Sequence, residues 1–259
     1  MKLKVALNMI VGPMEFEFFS FSVKSIKDAV DEIVIVLNDV DQKTLESVYE
    51  TYSICDGKDI KILEHSERNF SKLRNLALEN TQSDWIMKLD ADEVFYNDVI
   101  QIRDHIHDES ILGMNTWFYH LLRDFETCHD QVEHELLYHR LLMFRKLDGI
   151  YWQSDVHESI YFPPSLRKEK KIIDLDIHYV HFGYAKPQRE VFRRWKLYSE
   201  LEGQPNRYDE EFKVTGANPD TILDDRTGIP FMAPFPETIK EYCESVIKGE
   251  VERPLYDSE

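Results

Sequence analysis

The chain has 259 residues, of which 42% are hydrophobic and 12% aromatic, enough to bury a substantial core in one large domain or in a domain with an appendage. Acids outnumber bases 49 to 31, a net charge of -18, which opposes nonspecific attraction to a nucleic-acid backbone and demands local cations wherever a phosphorylated ligand binds. No stretch approaches the roughly 20 uninterrupted apolar residues of a transmembrane helix. Cys55, Cys128 and Cys243 are too scattered for a zinc-thiolate site and suit a reducing, cytoplasmic setting.

The opening MKLKVALNMIVG runs into Pro13 and Glu15 without a small-residue cleavage site, so Lys4 to Val11 reads as a first strand rather than a signal peptide. Apolar positions across Phe18 to Val30 recur at helical spacing, and Ile33 to Leu37 forms a second strand. Thr44 to Ser53 predicts a helix, Ile60 to Leu63 a third strand, and Phe70 to Leu78 a helix beginning after Arg68 and Asn69. Strands alternating with helices from the first residues predict a mostly parallel, doubly wound α/β sheet over about the first hundred positions. From Met114 onward the pieces are longer and aromatic-rich, namely NTWFYHLL, RLLMFRKLDGIYW and IIDLDIHYVHFGY, which predicts added strands including antiparallel ones. Residues 188 to 201 predict a helix with Arg189, Arg193 and Lys196 on one face, either solvated or closing over a ligand. An irregular tail with Pro205, Pro219, Pro230, Pro234 and Pro236 follows, ending in a short helix over Pro236 to Lys248. Residues 197 to 259 hold fifteen acids and six bases, so half of the net charge lies there. This tail would serve as a dimer contact or as a lid over an acceptor.

The segment WIMKLDADEVF, Trp85 to Phe95, concentrates the chemistry. A short buried strand ends in Asp90, Asp92 and Glu93, at the strand end where open α/β sheets bind ligands. Two residues apart, Asp90 and Asp92 can lean toward one side and offer hard oxygen ligands to Mg²⁺ or Mn²⁺. The competing reading is that these acids end the strand and cap the next helix.

Four segments together are more specific than the two acids alone. They are DEIVIV (Asp31 to Val36), NFSKLRNLALENTQSDWIMKLDADE (Asn69 to Glu93), RLLMFRKLDGIYWQSDVHESI (Arg140 to Ile160) and HYVHFGY (His178 to Tyr184). In order and spacing they resemble the family 2 glycosyltransferases of the GT-A fold, especially the bacterial and phage branch that modifies surface polysaccharides. The resemblance implies a GT-A domain over residues 1–185, with a nucleotide-sugar-binding half over 1–100 and an acceptor half over 101–185, followed by a helical and irregular extension over 186–259.

It also implies metal-dependent transfer from a nucleotide-sugar donor, UDP-linked by default, to an acceptor hydroxyl with inversion. The departing diphosphate develops negative charge, which in so acidic a chain only a cation or an Arg/Lys cluster can stabilise. Asp90, Asp92 and His181 are the expected metal ligands; His178, three residues earlier on a strand, is expected on the opposite face. Glu158 is the first expected base and Asp155 the second, with Glu93 behind them. Arg74 is expected at the donor phosphates or paired with Asp90 or Asp92, and Arg189 and Arg193 over the diphosphate as a lid. The family's Asp-Thr-Gly-Ser-Thr-Asp loop after the second strand is replaced by LNDVD, making Asp39 the expected nucleotide-base contact. Its Lys-Asn-Glu after the first strand is replaced by GPME.

Two other readings remain. Nucleotidyl transfer also uses strand-end acids with a metal, but normally with an early Gly-rich or basic phosphate loop; here Gly12 and Pro13 make a lone turn. A non-catalytic nucleotide-sugar or glycan-binding protein on the same fold is the second. The acceptor is open among a glycan, a lipid-linked sugar, a protein side chain and a hydroxylated base.

Overall fold

The computed structural model describes residues 2–55, 57–129, 139–155, 157–204, 207, 210, 223 and 228–256. Val156 and the part of the expected tail around Pro205 and Pro219 lie outside the described residues.

Strands β1 (Val5–Val11), β2 (Glu32–Asn38), β3 (Asp59–His65) and β4 (Trp85–Lys88) run parallel in the order β3-β2-β1-β4. β1 and β2 are nearly continuous apolar runs because both of their faces are covered. Along β2, Ile33, Ile35 and Leu37 join Phe19 and Val23 of helix α1 (Phe16–Ile26) and Val48 of α2 (Gln42–Ile54). The alternate Val34 and Val36 pack instead on Leu73 and Ala77 of α3 (Phe70–Glu79). This two-sided covering is the doubly wound arrangement predicted from the alternating elements.

Local chemistry sets the helix starts. The Asp41 carboxylate accepts from the Thr44 backbone N–H at 3.0 Å, and Asn69 accepts from that of Lys72 at 3.0 Å, satisfying donors that the first turn leaves open. Helix α1 begins two residues earlier than the periodicity indicated and tightens into a 3₁₀ turn over Lys27–Ala29.

Beyond β4 the sheet continues antiparallel through β8 (His139–Arg145) and β6 (Ile111–Leu122) to β7 (Thr127–His129) and β12 (Gly228–Pro230). Strand β11 (Lys171–Tyr184) runs parallel to β6 and antiparallel to the three-residue β5 (Glu93–Phe95). A separate ribbon pairs β9 (Tyr151–Gln153) with β10 (Ser159–Tyr161). Two more helices are α4 (Pro164–Glu169) and α5 (Gln188–Leu201). The chain therefore leaves β4 at a corner, residues 89–92, and re-enters the sheet beside a different strand.

The last helix, α6 (Lys240–Ile247), is shorter than expected because the Pro236 carbonyl accepts from both Ile239 and Lys240 in a turn. Ile239 and Cys243 are fully buried against Phe18, Val94, Val180 and Phe182. Beyond it, Arg253 donates to both Glu17 oxygens at 2.7 Å, Tyr242 donates to the same carboxylate at 2.7 Å, and Tyr256 does so as well. The Arg253 guanidinium also lies 4.7 Å from the Phe125 ring centre. Among the described residues, no helix is long and apolar enough to cross a membrane.

Candidate functional site: an acid–cation corner at the end of β4

The corner between β4 and β5 is held by its own backbone. The Asp90 N–H donates to Glu93 Oε2 at 2.9 Å, the Glu93 N–H to the Asp90 carbonyl at 3.2 Å, and the Phe182 N–H of β11 to the Asp92 carbonyl at 2.8 Å. These bonds fix where each carboxylate points. Asp90 and Asp92 were expected to lean together; the structure instead divides them between two ion-pair sets.

Asp90 faces Arg74, with which it pairs closely, and Lys88, whose Nζ lies at 2.9 Å, with Arg140 at 3.5 Å. Burial pushes its carboxyl up, but Lys88, Arg74 and Arg140 overcome that and hold it well below the usual range. Arg74, almost wholly buried on α3, also donates through Nε to Glu158 at 2.9 Å. Lys88 stands 3.8 Å from the same carboxylate. Glu158 is raised by burial and lowered more strongly by Arg74 and Lys88, so it sits below its ordinary value. Arg140 completes this half, 2.6 Å from Glu93, whose fully buried carboxyl is pushed up by desolvation.

Asp92 faces the other way, its side chain 3% exposed. His181 Nε2 lies 3.4 Å from Oδ1, Lys186 Nζ 3.3 Å and Arg194 Nη1 3.1 Å from Oδ2. Burial again works against ionisation, and Lys186, His181 and Arg194 hold the carboxyl well below the usual range. Arg194 bridges on to Glu15 at 3.2 Å. Glu15 is pushed up to about 7 by burial and by the neighbouring Asp92, against the pull of Arg194 and Lys186.

Among the described residues, no group of three or more His, Cys, Asp or Glu side chains converges as a ready cation cage. What does converge is the pair Asp92 and His181, with space kept open beside it by Gly183. A Cβ there would stand 2.5 Å from His181 Nε2 and 3.3 Å from Asp92 Oδ2. A carboxylate oxygen and an imidazole nitrogen meeting at a glycine-kept opening fit a borderline divalent ion such as Mn²⁺. Asp90, expected as a further ligand, points away from this opening toward Arg74 and Lys88, while Asp92 itself is paired with Lys186 and Arg194.

The remaining expected residues fall as follows. His178 lies against Tyr119, 5.9 Å between ring centres. Asp155 anchors α3, its carboxylate accepting from Asn69 and its carbonyl from the Phe70 N–H at 3.0 Å. Asp39, in left-handed backbone at the end of β2 (φ 52°), accepts from Ser66 Oγ at 2.9 Å. Arg193 pairs with Glu190 of its own helix at 2.7 Å, and neither it nor Arg189 is among the partners of Asp92. Arg194, one position further on, is. Lys88, Arg140, Lys186 and Arg194 were missed in the sequence, although Lys88 stands two residues from Asp90 and Arg140 opens the motif RLLMFR.

Residues 15–109 match the family described as Glycosyl transferase family 2. Among solved structures, the mannosyltransferase PcManGT of Pyrobaculum calidifontis, determined with GDP-Man and Mn²⁺, aligns with a TM-score of 0.51 at 12% identity. The alignment covers 95% of this chain and 69% of that one. TarS of S. aureus aligns with a TM-score of 0.48 at 12% identity, over 83% of this chain and 46% of that chain. This chain thus spans about half the length of TarS. No curated protein matches by sequence. The matched segment runs from Glu15 through α3 and the Asp90–Glu93 corner, so the chain has the GT-A fold and bears the family 2 glycosyltransferase signature over residues 15–109.

Proposed function

We propose that this chain is a glycosyltransferase that moves a sugar, with inversion and with the help of a divalent ion, from a nucleotide-diphosphate sugar to an acceptor hydroxyl. The observation that carries the reading is the charge at the corner. Five cations, Arg74, Lys88, Arg140, Lys186 and Arg194, gather around the carboxylates of Asp90, Asp92, Glu158, Glu93 and Glu15. Such a gathering of cations in a protein of net charge -18 supplies the local donors that an anionic diphosphate requires. UDP is the default nucleotide, with Asp39 at the base, and the three buried cysteines, none of them in a disulfide, agree with a reducing, cytoplasmic location.

In this reading Asp92 and His181 hold the divalent ion, which when bound supplies Lewis-acid charge at the leaving diphosphate. Asp90 keeps Arg74 and Lys88 in place behind it. Glu158 takes the proton of the acceptor hydroxyl as that oxygen bonds to the anomeric carbon and the bond to the diphosphate oxygen breaks. Arg74 fixes the orientation of Glu158 through Nε. Asp155, held by Asn69, shapes the loop that presents Glu158. Residues 1–185 carry the catalytic domain, and the extension over 186–259 lends it cations.

Two results are expected. Glu158→Gln should bind donor normally, by calorimetric titration, while turnover falls about 10²–10⁴-fold; lost affinity with normal turnover at saturation would place the base elsewhere. Gly183→Ala should weaken Mn²⁺ binding at least about tenfold by displacing the His181 ring, read by titration of the ion into the folded variant. Unchanged Mn²⁺ affinity would move the ion away from Asp92 and His181.

A further inference from the structure

Glu158 stands on the loop that joins the ribbon strands β9 and β10, and a two-stranded ribbon is marginally stable by itself. Ser154 and His157 in this loop are both in left-handed backbone, at φ 75° and 57°, a conformation that non-glycine residues keep only when their surroundings impose it. A carboxylate carried on such a loop needs outside anchors.

Helix α3 supplies them. Its cap Asn69 and its first residue Phe70 donate to Asp155, and Arg74 donates to Glu158 itself. One turn in, Asn75 holds the strand that leads to the loop: its Nδ2 donates to the Trp152 carbonyl at 2.9 Å, and its Oδ1 accepts from the Trp152 backbone N–H at 2.8 Å. Both backbone groups of Trp152 are therefore turned away from Ile160, its partner on β10. A single side-chain amide, with one donor and one acceptor engaged, does for β9 what a third strand would do. The Trp152 ring packs beside Phe144, 5.8 Å between ring centres, and 5.9 Å from the Arg74 guanidinium, so α3 grips this residue by backbone and ring alike.

We propose that Asn75 is a positioning residue for transfer, fixing β9 on α3 and through β9 the place of Glu158. This rests on the reading of Glu158 as the base and adds the residue that sets its backbone, where Arg74 sets its carboxylate. Among the described residues, the Asn75 side chain hydrogen-bonds to Trp152 alone, so binding of the donor and the ion should not depend on it. Asn75 is half-buried, alanine suits a helix interior, and water can take the vacated place beside Trp152. Its loss should loosen the hairpin and leave the fold.

The test reads release of nucleoside diphosphate from a panel of UDP- and GDP-sugars with Mn²⁺, with water or glycerol as the accepting hydroxyl. It compares the wild type, Asn75→Ala, Asn75→Asp, Glu158→Gln and the double variant of Asn75→Ala with Glu158→Gln. Asn75→Ala should lower turnover at saturating donor about 10–100-fold, with donor affinity within about twofold. Asn75→Asp keeps the shape but turns a carboxylate oxygen on the Trp152 carbonyl, so it should do no better than alanine. If Asn75 acts through Glu158, adding Asn75→Ala to Glu158→Gln should cost less than about twofold more, whereas two independent losses would multiply. Losses that multiply, or wild-type turnover in Asn75→Ala or Asn75→Asp, would overturn the positioning role alone. Wild-type turnover in Glu158→Gln, or a wild type that releases no diphosphate from any donor, would sink the reading beneath it as well.

Discussion

Asp92→Asn is expected to leave a folded protein whose sugar transfer has fallen about a thousandfold or more. The substitution conserves shape, and the backbone bond from Phe182 N–H to the residue 92 carbonyl at 2.8 Å does not depend on the side chain, so the corner should keep its path. What disappears is the one charge on which His181, Lys186 and Arg194 converge. A neutral amide is a poor partner for a divalent ion, and it leaves Lys186 and Arg194 repelling each other across a buried space. Loss should therefore appear in turnover and in Mn²⁺-dependent donor binding together, with the far-UV circular dichroism unchanged. Normal turnover in this variant would defeat the assignment of the metal.

The second large effect concerns stability and lies close to the corner, since Arg253 stands 5.8 Å and Lys186 6.0 Å from the centre of the same Phe18 ring. Glu17 is 2% exposed in its side chain and receives Arg253, Tyr242 and Tyr256, with Arg253 stacked over Phe125. Replacing Arg253 with Met fills similar volume but leaves a buried carboxylate facing two phenols. Breaking one partner of a buried pair costs about 3–5 kcal/mol, and for a chain of this size that lowers the thermal midpoint by roughly 6–20 °C. The pairing of Glu17 with Arg253 also fastens the segment after α6 to α1, whose first turn follows Glu15. Donor affinity should accordingly weaken in the same variant at temperatures where it remains folded. An unchanged midpoint would mean that this segment is not docked in solution.

These two effects also mark what could be read in the sequence. The strands and helices through β4 were legible because each has its own period: the apolar runs of β1 and β2 are buried on both faces, and α3 alternates toward Val34 and Val36 on a spacing of a helical turn. Asp92, His181, Glu158 and Arg74 could be singled out from the sequence, and the structure brings Asp92 to His181 and Arg74 to Glu158. The partnerships of Asp92 with Lys186 and Arg194 could not. Arg194 meets Asp92 across 102 residues and Lys186 across 94, and no local pattern encodes which face of α5 turns inward; Arg189 and Arg193 satisfied the same charge criterion, yet it is Arg194 that reaches Asp92. The separation of Asp90 from Asp92 had the same cause. Alternation along a strand predicts a shared side, but the chain turns at residues 89–92 to enter β5 beside β11, and backbone bonds to Glu93 and Phe182 set each carboxylate's direction. The pairing of Glu17 with Arg253 spans 236 residues and was hidden for the same reason.

The proposed donor site is tested most directly by thermal unfolding of the wild type and of Asp92→Asn against a panel of nucleotide sugars and nucleoside diphosphates, with and without Mn²⁺. A ligand at one hundred times its dissociation constant adds about 2.7 kcal/mol, or roughly 5–10 °C for a chain of this length. The account predicts a shift of that size for one nucleotide, dependent on Mn²⁺ and absent in Asp92→Asn. The same shift in wild type and variant, or no shift with any member of the panel, would contradict it.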